Sequence, residues 1–175
     1  SVNTTHLLDA YAHMIADRWE IDPGNPTDKA TSGRIPMGGS VGPKSGPTYL
    51  VVGDAAGSVN PFNGEGIAYA MESGALAAEV IVQAKSRPTF AQAELALAGY
   101  PKALKQSLGG YYTLGRWFVK AIGNPEIMRL ATKHGLPHPR AMTLTLKMLA
   151  NLTDPRGGDF YDHVVNTMSR MAPTA

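Results

Sequence analysis

The stretch with the most chemistry in it runs from Leu50 to Ile67: Leu-Val-Val-Gly-Asp-Ala-Ala-Gly-Ser-Val-Asn-Pro-Phe-Asn-Gly-Glu-Gly-Ile. A carboxylate, Asp54, follows directly on an apolar run that reads as a buried strand. The carboxyl end of such a strand is where open α/β sheets bind ligands, and a carboxylate there accepts hydrogen bonds from hydroxyls such as those of a sugar alcohol. Gly64 and Gly66 bracket the expected start of a long helix. Without side chains at those positions a flat ligand can lie against backbone N–H groups, where the helix dipole favours negative charge. Gly53 and Gly57 permit a sharp exit from the strand. An ordinary strand–loop–helix connection is the competing explanation, but this loop is long and Gly-rich for one.

Three other arrangements carry less. Gly38-Gly39-Ser40-Val41-Gly42 fits the G-x-S-x-G pattern of a nucleophile elbow, which has to open a helix; the Gly42-Pro43-Lys44-Ser45-Gly46-Pro47 that follows cannot be one. His134 and His138 are four apart, but Pro137 and Pro139 break the helix that would align them on a metal, and no metal site is expected. Glu65 suits a charge at a helix start, and Glu72 a solvated or paired helix face. No catalytic residue can be named.

The run Gly53-Asp54-Ala55-Ala56-Gly57, then Asn60-Pro61, Gly64-Glu65-Gly66-Ile67 and Ala70-Met71-Glu72-Ser73-Gly74, resembles the second FAD-binding motif of the geranylgeranyl reductase family, including its menaquinone reductases. That family is a branch of the flavoproteins similar to p-hydroxybenzoate hydroxylase. Arg34-Ile35-Pro36-Met37-Gly38-Gly39 resembles its segment upstream of the motif. The likeness is dense over residues 34 to 82 and weaker beyond. It implies an FAD cofactor contacted by Gly53, Asp54, Ala55, Pro61, Gly64, Glu65, Gly66 and Ile67, with Asp54 on the ribityl chain and the backbone of 64 to 67 on the pyrimidine edge. The implied activity is saturation of isoprenoid double bonds, in geranylgeranyl lipids or the menaquinone side chain, by hydride transfer from reduced flavin. Two family features are absent: the G-x-G-x-x-G turn that holds the ADP half of FAD, and the aromatic–Trp–aromatic–Pro substrate motif. A C-terminal portion of a longer enzyme is therefore expected, with the missing N-terminal half as its partner. A hydroxylase or halogenase of the same superfamily and a non-catalytic helical binding module are the alternatives.

Positioning these residues calls for an α/β arrangement with a helical C-terminal region, an incomplete part of an FAD-binding Rossmann-like fold. Thr48 to Val52 predicts a strand buried on both faces, and a short strand is expected around Arg34 to Met37. Residues 5 to 19 predict an amphipathic helix through Leu7, Leu8, Tyr11, Met14, Ile15 and Trp19. A long helix is expected from about Gly64 to Lys85. Phe90 to Ile122 predicts another, interrupted near Gly109-Gly110. Asn124-Pro125 opens a short one, and 139–152 and 158–170 give two more. The expected division is 1–87, completing the FAD-binding domain, and 88–175, helical.

Composition sets the outer bounds. The 175 residues are 43% hydrophobic and 17% charged, enough apolar material for a packed core. Sixteen Lys and Arg against fourteen Asp and Glu leave a net charge of +2, no electrostatic case for nucleic acid. The absence of Cys excludes disulfides and thiol chemistry. Asp9, Asp17, Arg18 and Glu20 rule out reading residues 1 to 20 as a signal peptide, and no apolar run approaches the roughly 20 residues that span a bilayer. Met and aromatic residues in the helical half suit a channel for a prenyl lipid, and its basic residues, Lys102, Lys105, Arg116, Lys120, Arg129, Lys133, Arg140 and Lys147, suit anionic lipid; an ordinary helical core with a basic solvated face is the favoured reading of both. A cytoplasmic location is expected, with peripheral contact on the inner face of a membrane kept open.

Overall fold

A computed structural model describes residues 4–154 and 156–173. Two compact units divide it, Ser1–Arg34 and Ile35–Ala175, so the expected boundary at residue 87 falls inside the second. The first unit carries α1 (Thr4–Trp19), which buries none of its residues. Of the apolar set expected from the spacing, Leu7, Leu8, Tyr11, Met14 and Trp19 are more than half exposed and Ile15 is half-buried.

The second unit is helical. In chain order come a single 3-10 turn (Gly53–Ala56), α2 (Ile67–Lys85), α3 (Phe90–Leu97), α4 (Tyr100–Ile122), α5 (Pro125–Leu130) running on through a wide π-type turn (Ala131–Gly135), α6 (Pro139–Leu149) and α7 (Phe160–Met171). Its core is the face shared by α2 and α4: Tyr69, Ala77 and Val80 from one, Tyr100, Leu104, Leu108 and Tyr112 from the other. Leu50, Leu76, Leu97 and Tyr111 pack at its edge.

The structure overturns the expected α/β class. No strand forms among the described residues, so they hold no sheet and no Rossmann-like fold. Thr48 to Val52 is irregular, and its one pairing is an antiparallel bridge between Ser45 and Leu50. Two backbone bonds hold that bridge, Val51 N–H to the Lys44 carbonyl and Gly46 N–H to the Tyr49 carbonyl, both 2.9 Å. Arg34 to Met37 is irregular too. The physical reason is pairing. A strand's N–H and C=O groups need a neighbouring strand, and the described chain offers residues 45 to 51 only their own short return. Tyr49 and Val52 consequently remain 48% and 40% exposed.

The helix boundaries have local causes. Thr89 Oγ1 accepts from Gln92 N–H at 3.3 Å and caps α3. Asn124 Oδ1 accepts from Glu126 N–H at 2.9 Å and caps α5, with Pro125 in its first turn as expected. The break expected at Gly109-Gly110 lies instead at Ala98-Gly99, where Tyr100-Pro101 starts a new helix. Gly110 stays inside α4 for a packing reason: a β-carbon there would overlap the Ser169 carbonyl of α7. At the far end Lys147 Nζ bridges α6 to Asp159 and Asp162 at the start of α7, each at 2.8 Å, and those two aspartates complete a capping box.

Candidate functional site

The first turn after Val52 is held from three directions. Gly53 N–H donates to Ser73 Oγ of α2 at 3.0 Å, and that hydroxyl lies 3.1 Å from the Ala70 carbonyl. The Tyr100 hydroxyl of α4 lies 3.0 Å from the Val51 carbonyl and 3.3 Å from that of Ser73. Within the turn, Gly57 N–H returns to the Asp54 carbonyl and Ser58 N–H to that of Gly53, both at 2.9 Å. Gly57 closes it at φ +67, where its missing β-carbon leaves room for the Ser40 and Val41 amides. Gly39 N–H then bonds the Gly57 carbonyl and Gly38 N–H that of Val59. Arg116 Nη1 reaches the Gly38 carbonyl at 2.6 Å, and Lys44 Nζ that of Gly39 at 2.9 Å. Burial lowers the pKa of this ammonium.

Asn60 organises the second half of the loop and is fully buried. Its Oδ1 accepts from Phe62 N–H at 2.9 Å, its N–H donates to the Glu65 carbonyl at 2.8 Å, and its carbonyl accepts from Gly64 N–H at 2.9 Å. Its amide donates to the Tyr111 hydroxyl at 3.3 Å, and Tyr111 in turn donates to the Met148 carbonyl at 2.9 Å. Pro61 and Phe62 are pressed onto α4 at Gly115, where a β-carbon would overlap the Pro61 ring. The Phe62 ring sits 5.1 Å from that of Tyr111 and 5.2 Å from that of Phe118.

This scaffolding leaves the Asp54 carboxylate free. Asp54 is exposed, and its carboxylate makes no hydrogen bond to a described residue. Its Oδ1 stands 2.9 Å from where a β-carbon on Gly66 would be, and Gly66 is the residue immediately before α2. No side chain caps that helix, so its first-turn N–H groups and the positive end of its dipole lie beside the carboxylate. Gly64, at φ +80, has nothing within 4 Å of its β-position. Ala55 and Ile67 are exposed, Glu65 and Gly66 half-buried, Gly53 and Pro61 buried. The residues singled out from the sequence thus fall into an accessible set, Asp54 and Gly66 in contact within it, and a buried pair, Gly53 and Pro61. Chemically, the accessible set suits a ligand that offers hydroxyls to a carboxylate and an acceptor edge to backbone N–H groups.

A cleft of about 650 Å³ opens alongside, lined by Tyr69, Glu72, Ser107, Tyr111, Asn166 and Arg170 among others. Ser107 Oγ donates to Glu72 Oε1 at 2.5 Å. Burial pushes the Tyr69 phenol far above its ordinary range and that of Tyr111 up as well; the nearby Glu65 charge adds to both. The Tyr69 and Tyr112 hydroxyls are buried without a well-formed hydrogen bond. Sequence reasoning missed Ser73, Tyr100, Tyr111 and Arg116. They join the loop from 20 to 78 positions away, Ser73 from α2 and the other three from α4.

A protein named menaquinone reductase from Mycolicibacterium smegmatis is 34% identical to this chain over 167 residues. Proteins of the same name from two strains of Mycobacterium tuberculosis are 29% identical over 158 residues. The chain is similar to a C-terminal-sized portion of these proteins: the alignments cover 92% and 90% of this chain, but only 37% and 36% of the relatives, so it spans little more than a third of their length. No protein-family profile and no solved structure matches it. Among the described residues no helix is long and apolar enough to cross a membrane, and no group of His, Asp and Glu is arranged to hold a metal.

Proposed function

We propose that this chain is part of an FAD-dependent reductase that saturates an isoprenoid double bond, in the menaquinone side chain or a geranylgeranyl lipid. The observation that carries the reading is the unpartnered Asp54 carboxylate fixed beside the uncapped start of α2. The shared sequence with proteins named menaquinone reductase supports the substrate class.

The residues present fit the cofactor. Asp54 would accept from the ribityl hydroxyls, and its fixed turn spares the cost of ordering a loop on binding. The backbone at Gly64 to Ile67 would face the acceptor edge of the ring system, where the dipole of α2 favours negative charge. Gly66 keeps the space above Asp54 Oδ1 clear, and Ala55 and Ile67 give apolar flanks. Bound there, the flavin would supply a hydride equivalent for reducing a carbon–carbon double bond. The remaining cofactor contacts would come from the part of such a protein that this chain does not span.

The test is to incubate the intact protein with FAD, a reductant and, in separate reactions, menaquinone and a geranylgeranyl lipid, and to follow each lipid by mass spectrometry. The reading predicts FAD-dependent gain of two hydrogens on the isoprenoid chain of at least one of them. Both lipids unaltered in the presence of bound flavin would overturn the substrate class, and failure to bind FAD would overturn the whole reading.

A further inference from the structure

The segment from the end of α4 through the π-type turn, like α3 and α6, buries none of its side chains. Every residue from Ile122 to His134 is exposed, and α5 buries none. A helical segment normally turns an apolar stripe inward. Here Ile127, Leu130 and, past the turn, Leu136 stay 44%, 58% and 57% exposed, and Trp117 and Val119 lead into them at 54% and 40%. Charge is as uneven as burial. Between Arg116 and Arg140 lie five basic residues, Arg116, Lys120, Arg129, Lys133 and Arg140, against the single acid Glu126. That is a local net charge of +4 in a chain whose total is +2. Glu126 is already paired with Arg129 at 2.6 Å, which leaves Lys120, Lys133 and Arg140 without an acidic partner among the described residues.

We infer that this segment is an interfacial anchor that lies on an anionic lipid surface. Exposed aliphatic side chains, a tryptophan at one end and surrounding cations are the composition of a helix that rests in the headgroup region without spanning the bilayer. Ile127 and Leu130 enter the apolar boundary, Lys120 and Lys133 meet lipid phosphates, and their long stems extend to reach them. The charge argues for this occupant over a second copy of the chain, because two copies would bring like charges together. The inference rests on the lipid-substrate reading only for its use. Its evidence is exposure and charge, and its test reads no enzymatic activity.

The experiment is co-sedimentation of the protein with vesicles of pure phosphatidylcholine and of phosphatidylcholine with one-third phosphatidylglycerol. Trp117 emission is followed in a Trp19→Phe background. The anchor predicts binding to the anionic vesicles, a blue shift of Trp117, and loss of both at high salt. Lys120→Gln/Lys133→Gln is expected to weaken binding roughly 25-fold, about fivefold per cation. Leu130→Glu is expected to remove the blue shift, and Val82→Glu, an exposed apolar position on α2, to change nothing. Equal loss in the Val82→Glu control, or no preference for the anionic vesicles, would overturn it. So would concentration-dependent self-association of the protein that Leu130→Glu abolishes, which would make a second copy the occupant.

Discussion

Asp54 and Gly66 face each other across the mouth of the loop, with Asp54 Oδ1 2.9 Å from the position a Gly66 β-carbon would take. The contact joins a turn built by one end of the loop to the helix start built by the other. It explains why glycine stands at 66 although φ there is an ordinary −116. The requirement is space for a carboxylate and not backbone freedom. Gly66→Ala is expected to push the carboxylate aside and weaken FAD binding about three- to tenfold in a fluorescence titration. Because Asp54 is exposed, thermal stability should change by less than about 1 kcal/mol.

Gly115 makes the opposite prediction. A β-carbon there overlaps the Pro61 ring and comes within 3.0 Å of Phe62. Neither can yield, since Pro61 is cyclic and Phe62 is wedged against Tyr111 and Phe118. Gly115→Ala should therefore destabilise the fold by about 1–3 kcal/mol, measured by denaturant titration, with any loss of cofactor affinity following from the displaced loop.

The clasp of Lys147 with Asp159 and Asp162 gives a pH dependence. Hydrogen bonds from Lys147 hold both carboxyl groups below their ordinary value of 3.8, and the same bonds raise the Lys147 pKa above 10.5. A carboxyl group with a lowered folded pKa adds stability that is complete above the unfolded pKa and is lost as pH falls through the folded one. For the lysine the contribution is complete below about 10.5 and lost as pH rises past its folded value. Lys147→Met should thus lower the melting temperature by a constant amount between about pH 5 and pH 9. The gap to wild type should narrow on acidification below about pH 4 and in strong base. A gap that widened toward acid would contradict the assignment.

The loop from Gly53 to Ile67 was legible in the sequence because its constraints are local. Glycine spacing, an aspartate and a proline fix a turn whatever lies beyond. The Asn124-Pro125 helix start was legible for the same reason. Thr48 to Val52 misled because a β-branched apolar run shows a segment that seeks burial without showing what it will pair with; here it packs Leu50 against helices and bridges only to Ser45. Gly109-Gly110 misled because a glycine pair reads equally as a break or as a close approach, and Ser169, which settles the matter, lies some sixty residues on. Of the tethers of the site, Ser73 lies inside the resembling motif without a role being marked for it, and Tyr100 and Tyr111 carry no local signature. Each acts through one hydroxyl brought to the loop by helix packing.

The account turns on Asp54 as a ligand-binding group with no part in the fold, and one comparison separates the two. FAD affinity and melting temperature are measured side by side for the intact protein and for Asp54→Asn, which keeps the size of the side chain and removes its charge. The prediction is a loss of roughly 1.5–3 kcal/mol in binding, about 10- to 150-fold in Kd, with the melting temperature unchanged. Unaltered FAD affinity, or a loss of affinity accompanied by an equal loss of stability, would contradict it.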